Sequence, residues 1–218
     1  MTESANHAEL MDQVYRYQRY IYNITRKFYL LGRDSLIDEM NVNPGERVLE
    51  MGCGTARNLI VFSKKNPEVI CYGIDASQEM LDTAQKDVNR AGLTERIVLK
   101  RALAEQVRYE EIFSLEQPFD AVIFSYSLSM IPTWKDAIQT ALDNLRPGGM
   151  IYIVDFWDQS GWPKWFQFIL RQWLALFHVH HEPELIDFLK TFENKGAGKI
   201  EIDSIFRRYA FKTRLKKK

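Results

Sequence analysis

From residue 46 onward, short apolar runs alternate with stretches in which apolar residues recur every three or four positions. The runs RVLEM (47–51), VICYGI (69–74), IVLK (97–100), FDAVIFS (119–125) and GMIYIVD (149–155) have strand length and little polar character, as expected of strands covered on both faces. Between them the spacing predicts helices at about 56–65, 77–91 and 134–146. The second opens on Ser77 as N-cap and sets Met80, Leu81, Ala84 and Val88 on one face. Strands alternating with helices predict right-handed crossovers and a mainly parallel sheet. Two late strands, roughly 199–203 and 206–213, stand too close for a crossover and are expected as an antiparallel pair ending the sheet. Ahead of the first strand, residues 8–41 read as helical throughout, and Pro44-Gly45 marks the turn out.

Length and composition narrow the class without naming a chemistry. The 218 residues are enough for one domain with a sizeable core, and 29 basic against 29 acidic side chains leave no net charge. Disorder, and nucleic-acid binding driven by bulk charge, are excluded; no RNA-binding motif surrounds the basic and aromatic residues near the start either. Only Cys53 and Cys71 occur, with no CxxC pair, so a disulfide framework and a cysteine zinc site are not expected. His178, His180 and His181 have no Asp or Cys at ligand spacing, so no metal is expected. The first dozen residues hold no apolar run, and the longest uncharged stretch, 121–134, contains Pro132 and three serines. The expectation is a chain that does not span a membrane and works in a reducing cytoplasm.

The chemistry enters where the first strand runs into Glu50-Met51-Gly52-Cys53-Gly54-Thr55-Ala56 and a helix begins. Glycines at such a turn let backbone approach a ligand and aim helix amides at it. Asp75 ends the second strand 21 residues after Gly54, where a carboxylate can take both hydroxyls of a ribose. A dinucleotide fingerprint would require a third glycine at 57, where this chain has Arg57. Cys53 reads as a small packing residue, although a helix N-terminus nearby can favour a thiolate. Ser125 and Tyr126 end the fourth strand and Asp155 the fifth, at the edge where open α/β sheets bind ligands. Asp155 could pair there with an ammonium or simply cap the turn.

The run VLEMGCGTARN, followed by YGIDAS and LRPGGMIYIVD, resembles the class I S-adenosylmethionine-dependent methyltransferases. The resemblance implies an α/β Rossmann-like fold: a seven-stranded, mainly parallel sheet of that family's strand order, with helices on both faces. It implies S-adenosyl-L-methionine as cofactor, with Glu50 near its amino group, Gly52, Cys53 and Gly54 against its methionine part, Asp75 on the ribose, and Ala76 and Met80 flanking the adenine. Ala102 and Leu103 would meet the adenine edge, but Arg101 stands where many relatives carry an acid, and Ala56 where many carry glycine. Ser125 and Tyr126 would border the point of methyl transfer, and the proton could leave to water or to Asp155 or His178.

Two further segments bear on the acceptor. Residues 13–33 hold five basic residues, five tyrosines and no acid; they read either as a helix lying over the sheet or as a lid, with Arg26 or Arg33 meeting a carboxylate of the cofactor. Residues 162–179 place Trp162, Trp165, Phe166, Ile169, Leu170, Trp173, Leu174 and Phe177 on one helical face, suited to the core, a second subunit or a membrane interface. The tail from Arg207 to Lys218 has seven basic residues and no acid, and reads as a solvated end or one drawn to anionic lipid. YRYQRYIYNITRKFYLLGRDSLI, FSYSLSMIPTW and IVDFWDQ with the Trp-rich helix look like the betaine-lipid N-methyltransferases, which methylate the amine of diacylglycerylhomoserine. That resemblance implies a helical lid over residues 1–44 ahead of a methyltransferase domain over 45–218. It also implies a lipid or amphipathic amine acceptor, with transient contact at the inner face of the membrane. A quinone precursor methylated at carbon or oxygen, and a non-catalytic cofactor- or lipid-binding partner, remain as alternatives, and the sequence gives no oligomeric state.

Overall fold

A computed structural model describes residues 30–175, 184–196 and 198–218. Seven strands form one sheet: β1 (Arg47–Met51), β2 (Ile70–Asp75), β3 (Ile97–Arg101), β4 (Phe119–Ser125), β5 (Leu145–Phe156), β6 (Gly198–Ile205) and β7 (Ala210–Lys217), in the order β3-β2-β1-β4-β5-β7-β6. Neighbours among β1–β5 are parallel, and β7 runs antiparallel to both β5 and β6. The fold is therefore the α/β Rossmann-like arrangement expected, with the antiparallel ending.

Alternate side chains of each strand feed two cores. On one face lie α1 (Arg33–Glu39), α2 (Arg57–Lys65), α3 (Gln78–Arg90) and α6 (Lys164–Ala175); the other carries α4 (Tyr109–Phe113), α5 (Trp134–Asp143) and α7 (Leu185–Asn194). The Ser77 cap is present, its Oγ accepting the Met80 amide at 3.3 Å, and Met80, Leu81, Ala84 and Val88 are the buried side of α3. Capping fixes where α3 starts, and burial of that stripe holds it to the sheet.

Several expectations are corrected. The helical reading of 8–41 fails at Gly32, whose φ of 84° breaks any helix before α1; a Cβ there would meet Ile205 Cδ1 at 2.3 Å. The part of that reading on residues 8–29 lies outside the described residues. The helix expected to reach 146 stops at Asp143, because Asn144 turns its side chain to the Tyr109 amide (2.7 Å) and the Val107 carbonyl (2.8 Å). The register between β4 and β5 then slips, Phe119 facing Leu145 and Ala121 facing Met150, with Gly148 at φ 77° inside the bulge.

Beyond the β6–β7 turn the basic tail is not a frayed end. Residues 210–217 are β7, and Ala210, Phe211, Lys212, Thr213 and Leu215 are buried. Lys212 pairs with Glu39 of α1, Arg214 with Glu201 at 3.0 Å, and Lys217 donates to the Leu142 and Leu145 carbonyls at 2.7 Å. These cations extend their stems along the sheet and spend their charge internally. The turn between β6 and β7 places Phe206, Arg207 and Arg208 all at positive φ (49°, 55° and 62°), which side-chain-bearing residues adopt only when the surroundings hold them there.

The face expected over 162–179 divides. Leu170 and Leu174 are buried and Phe166 and Trp173 pack beside them, whereas Trp165 and Ile169 point outward with Phe168. Phe177 and the three histidines lie outside the described residues. Among the described residues no helix is long and apolar enough to cross a membrane.

Candidate functional site

The glycine turn after β1 is shaped by two close approaches. Gly52 sits at φ 76°, and a Cβ there would stand 2.6 Å from Cβ of Ser127, whose hydroxyl donates to the Met51 carbonyl at 2.9 Å. Gly54 follows at φ 54°, its amide donating to Asp75 Oδ2 at 2.8 Å; Asp75 Oδ1 accepts the Ser77 amide at 2.9 Å. One carboxylate thus ties the glycine turn, the end of β2 and the start of α3 together. Ala56, where many resembling proteins carry glycine, adopts φ 57°, so the backbone retains a left-handed conformation that glycine would take without strain.

Around this turn opens a cleft with about 650 Å³ of empty space, part of it open to solvent. Gly52, Gly54, Ile74, Asp75 and Ala76 form one wall; Ala102, Leu103, Ala104 and Glu105 form a second; Tyr126, Ser127, Met130, Ile131, Pro132 and Thr133 form the third. The elements converge at the C-terminal ends of β1, β2, β3 and β4, the expected edge of a parallel sheet. The cleft suits S-adenosylmethionine: two glycines without Cβ atoms leave room for backbone contact, a carboxylate stands at the ribose position, and apolar side chains flank the adenine position. Seven candidates from the sequence, Gly52, Gly54, Asp75, Ala76, Ala102, Leu103 and Tyr126, come together in this lining.

The other described candidates are not among these lining residues. Glu50 is buried behind the turn, its Oε1 accepting the Asn58 Nδ2 at 2.7 Å. Cys53 packs over Gly73, and burial, aided by the charges of Asp75 and Glu50, pushes its thiol well up, so the packing role stands and the thiolate does not. Met80 is buried in α3. Ser125 is buried with an Oγ that finds no partner among the described residues. Arg33 opens α1, and its charge acts on the Tyr126 phenol. Ala102 lines the cleft as the adenine-edge expectation requires, while its backbone amide donates to the Asp75 carbonyl at 3.2 Å. His178 lies outside the described residues, and among those described no cluster of potential metal ligands forms.

Tyr126 is buried at φ 54° with its hydroxyl donating to the Leu31 carbonyl at 2.6 Å; burial pushes its phenol far up, so it remains neutral. Asp155 is fully buried beneath the third wall, accepting the Ser129 amide on Oδ2 at 3.2 Å and the Phe156 amide on Oδ1 at 2.8 Å. It does the turn-capping work, and its carboxylate does not reach the lining. Of the third wall the sequence marks Tyr126 as a site residue but not Ser127 or residues 130–133, although the lack of charge from 121 to 134 is visible. Glu105 was also missed, for nothing in its spacing marks it.

Burial pushes the Asp155 carboxyl from an ordinary 3.8 to about 6, against the backbone hydrogen bonds that favour its anion. A raised folded-state pKa gives stability that is present below the unfolded value and lost as pH rises through the folded one. Between about pH 4 and pH 7 the protein should therefore lose up to about 3 kcal/mol that Asp155→Asn does not lose. Urea titrations of both proteins across that range check it; parallel stability curves would mean that the carboxyl titrates normally.

Comparison with known proteins agrees with this geometry. A family model described as a methyltransferase domain matches residues 22–192. A demethylmenaquinone methyltransferase of Geobacillus kaustophilus is 26% identical over 86% of this chain and 80% of its own length. The 27-O-demethylrifamycin SV methyltransferase of Amycolatopsis mediterranei is 29% identical over 56% of this chain and 43% of its own. Among solved structures, an O-methyltransferase family 2 protein of Planctomyces limnophilus aligns with a TM-score of 0.69 at 16% identity, covering 92% of this chain and 61% of that one.

Proposed function

This chain belongs to the methyltransferase domain family, is an S-adenosylmethionine-dependent enzyme, and, we propose, methylates an amphipathic quinone-type ring at carbon or oxygen. The observation that carries the reading is the third wall. Met130, Ile131 and Pro132 present an apolar surface beside Tyr126, and among the described lining residues the carboxylates, Asp75 and Glu105, belong to the other two walls. A lipid amine would be an ammonium before reaction, and the described lining offers no anion at that end to receive it. A flat, uncharged aromatic ring suits the same wall. Relatives acting on demethylmenaquinone and on a demethylrifamycin, as their names state, support this over the betaine-lipid reading.

When bound, S-adenosylmethionine supplies a methyl group already activated on a sulfonium. The chain's own work is then positioning: Asp75 and the glycine turn fix one partner, while Tyr126 and the 130–133 segment fix the plane of the other. Such alignment can contribute roughly 7–11 kcal/mol. Tyr126 cannot act as a base at neutral pH, because its proton is held toward Leu31 and burial opposes ionisation. An acceptor that is already electron-rich, such as a hydroquinone that gives its proton to water, needs no base from this wall.

The test is incubation with S-adenosylmethionine and two acceptors, a short-chain 1,4-naphthohydroquinone and a short-chain diacylglycerylhomoserine, followed by mass spectrometry. Methylation of the hydroquinone is expected. Turnover confined to the amine would return the betaine-lipid reading and overturn this one.

A further inference from the structure

We propose that α6 and the β6–β7 turn form a docking surface for an anionic lipid bilayer. Trp165, Phe168 and Ile169 of α6 are 66%, 65% and 57% exposed, and Phe206 at the turn is 64% exposed. Trp162 joins the two elements: its ring stacks on Phe166 (4.7 Å) and on Phe206 (5.7 Å), and its indole N–H donates to the Phe206 carbonyl at 3.1 Å. The result is one aromatic platform rather than scattered apolar side chains. Contiguous exposed apolar surface of this kind marks an interaction site.

Its position is not arbitrary. Phe156, the last residue of β5, pairs with Ala210, the first of β7, so the turn between β6 and β7 sits at the C-terminal edge of the parallel strands. The cleft opens along that same edge. A bilayer meeting the platform would therefore face the edge from which an apolar acceptor enters.

Charge selects the occupant. Lys164, Arg171 and Arg207 are exposed around the platform, and residues 159–175 contain no acid. The adjoining acid, Asp158, is already paired with Arg208. A second copy seated by two-fold symmetry would set these cations against their own duplicates, whereas anionic headgroups complement them. Tryptophan and phenylalanine rings suit the boundary between headgroups and acyl chains, with the cations reaching outward to phosphate. The proposal does not depend on the acceptor's identity, and its test requires no turnover.

The full chain is sedimented with vesicles of phosphatidylcholine alone and of phosphatidylcholine mixed with phosphatidylglycerol, at low and high salt. Binding is expected on the mixed vesicles, weakening with salt, with tryptophan emission shifted to shorter wavelength. Trp165→Ala with Phe168→Ala should lower the partition coefficient at least about tenfold, and Phe206→Ser, on the separate element, should lower it as well. All three side chains are exposed, so unchanged melting of the variants is expected and is measured alongside. Undiminished partition of both variants, equal binding to both vesicle types, or no binding would overturn the proposal. So would a solution dimer that Trp165→Ala dissociates, since the platform would then be a subunit interface.

Discussion

Replacing Asp75 with alanine is expected to weaken S-adenosylmethionine binding by about two orders of magnitude, the largest single effect foreseen on the cofactor. The carboxylate lines the cleft and also accepts the Gly54 amide on one oxygen and the Ser77 amide on the other. Hydrogen bonds to a charged group contribute roughly 1.5–3 kcal/mol each. Losing the group therefore removes the ligand contact and loosens the two backbone segments that frame it, and about 2.7 kcal/mol already amounts to a hundredfold. Asp75→Asn retains one acceptor and should fall between. Isothermal calorimetry on folded protein decides the matter: wild-type affinity in Asp75→Ala would remove Asp75 from the cofactor site.

Gly52→Ala is expected to cost more in stability than any other single methyl added to the cleft. At φ 76° an L side chain is strained, and its Cβ would lie 2.6 Å from Cβ of Ser127, far inside contact distance. The left-handed conformation costs roughly 1–2 kcal/mol and the overpacking roughly 1–3. Together they correspond to a drop in melting temperature of roughly 4–20 °C for a chain of this size. On a Ser127→Gly background, which itself lacks the hydroxyl bond to Met51, the steric part is absent and the φ strain remains, so Gly52→Ala should there cost roughly half as much in thermal melts. An equal cost on both backgrounds would show that the Ser127 contact is not the cause.

How far the sequence could be read depended on whether the deciding interaction was local. Strands β1 to β4 declared themselves because buried parallel strands are continuous apolar runs, and Ser77 marked α3 through its own cap. Gly52, Gly54 and Asp75 could be placed because a strand-to-helix turn and a strand end are defined by adjacent residues. The C-terminal segment was read only in part, as a strand set four residues early with a loose basic end, for the opposite reason. Lys212, Arg214 and Lys217 look like a solvated tail until Glu39, Glu201 and two distant carbonyls are brought alongside. Asp155 was ambiguous because its partners, Ser129 and Phe156, are set by the packing of β5 against the loop after β4. The division of the Trp-rich helix required knowing where the sheet lies, since an amphipathic stripe says that one side is apolar but not how much of it will be covered.

The place of β7 also dictates an order of events during synthesis. Residues 210–217 complete hydrogen bonding on both β5 and β6, although each of those strands leaves the ribosome earlier. Until then the growing polypeptide carries an unfinished β5 edge bearing Ile151, Ile153 and Val154, a template for pairing with another nascent copy. Closure across this span is a long-range contact, which slows its formation. A ribosome stalled before Ala210 should therefore display a protease-sensitive, chaperone-bound intermediate. The same polysome advanced past Lys217, with a linker long enough to clear the exit tunnel, should show protection appear in a single step.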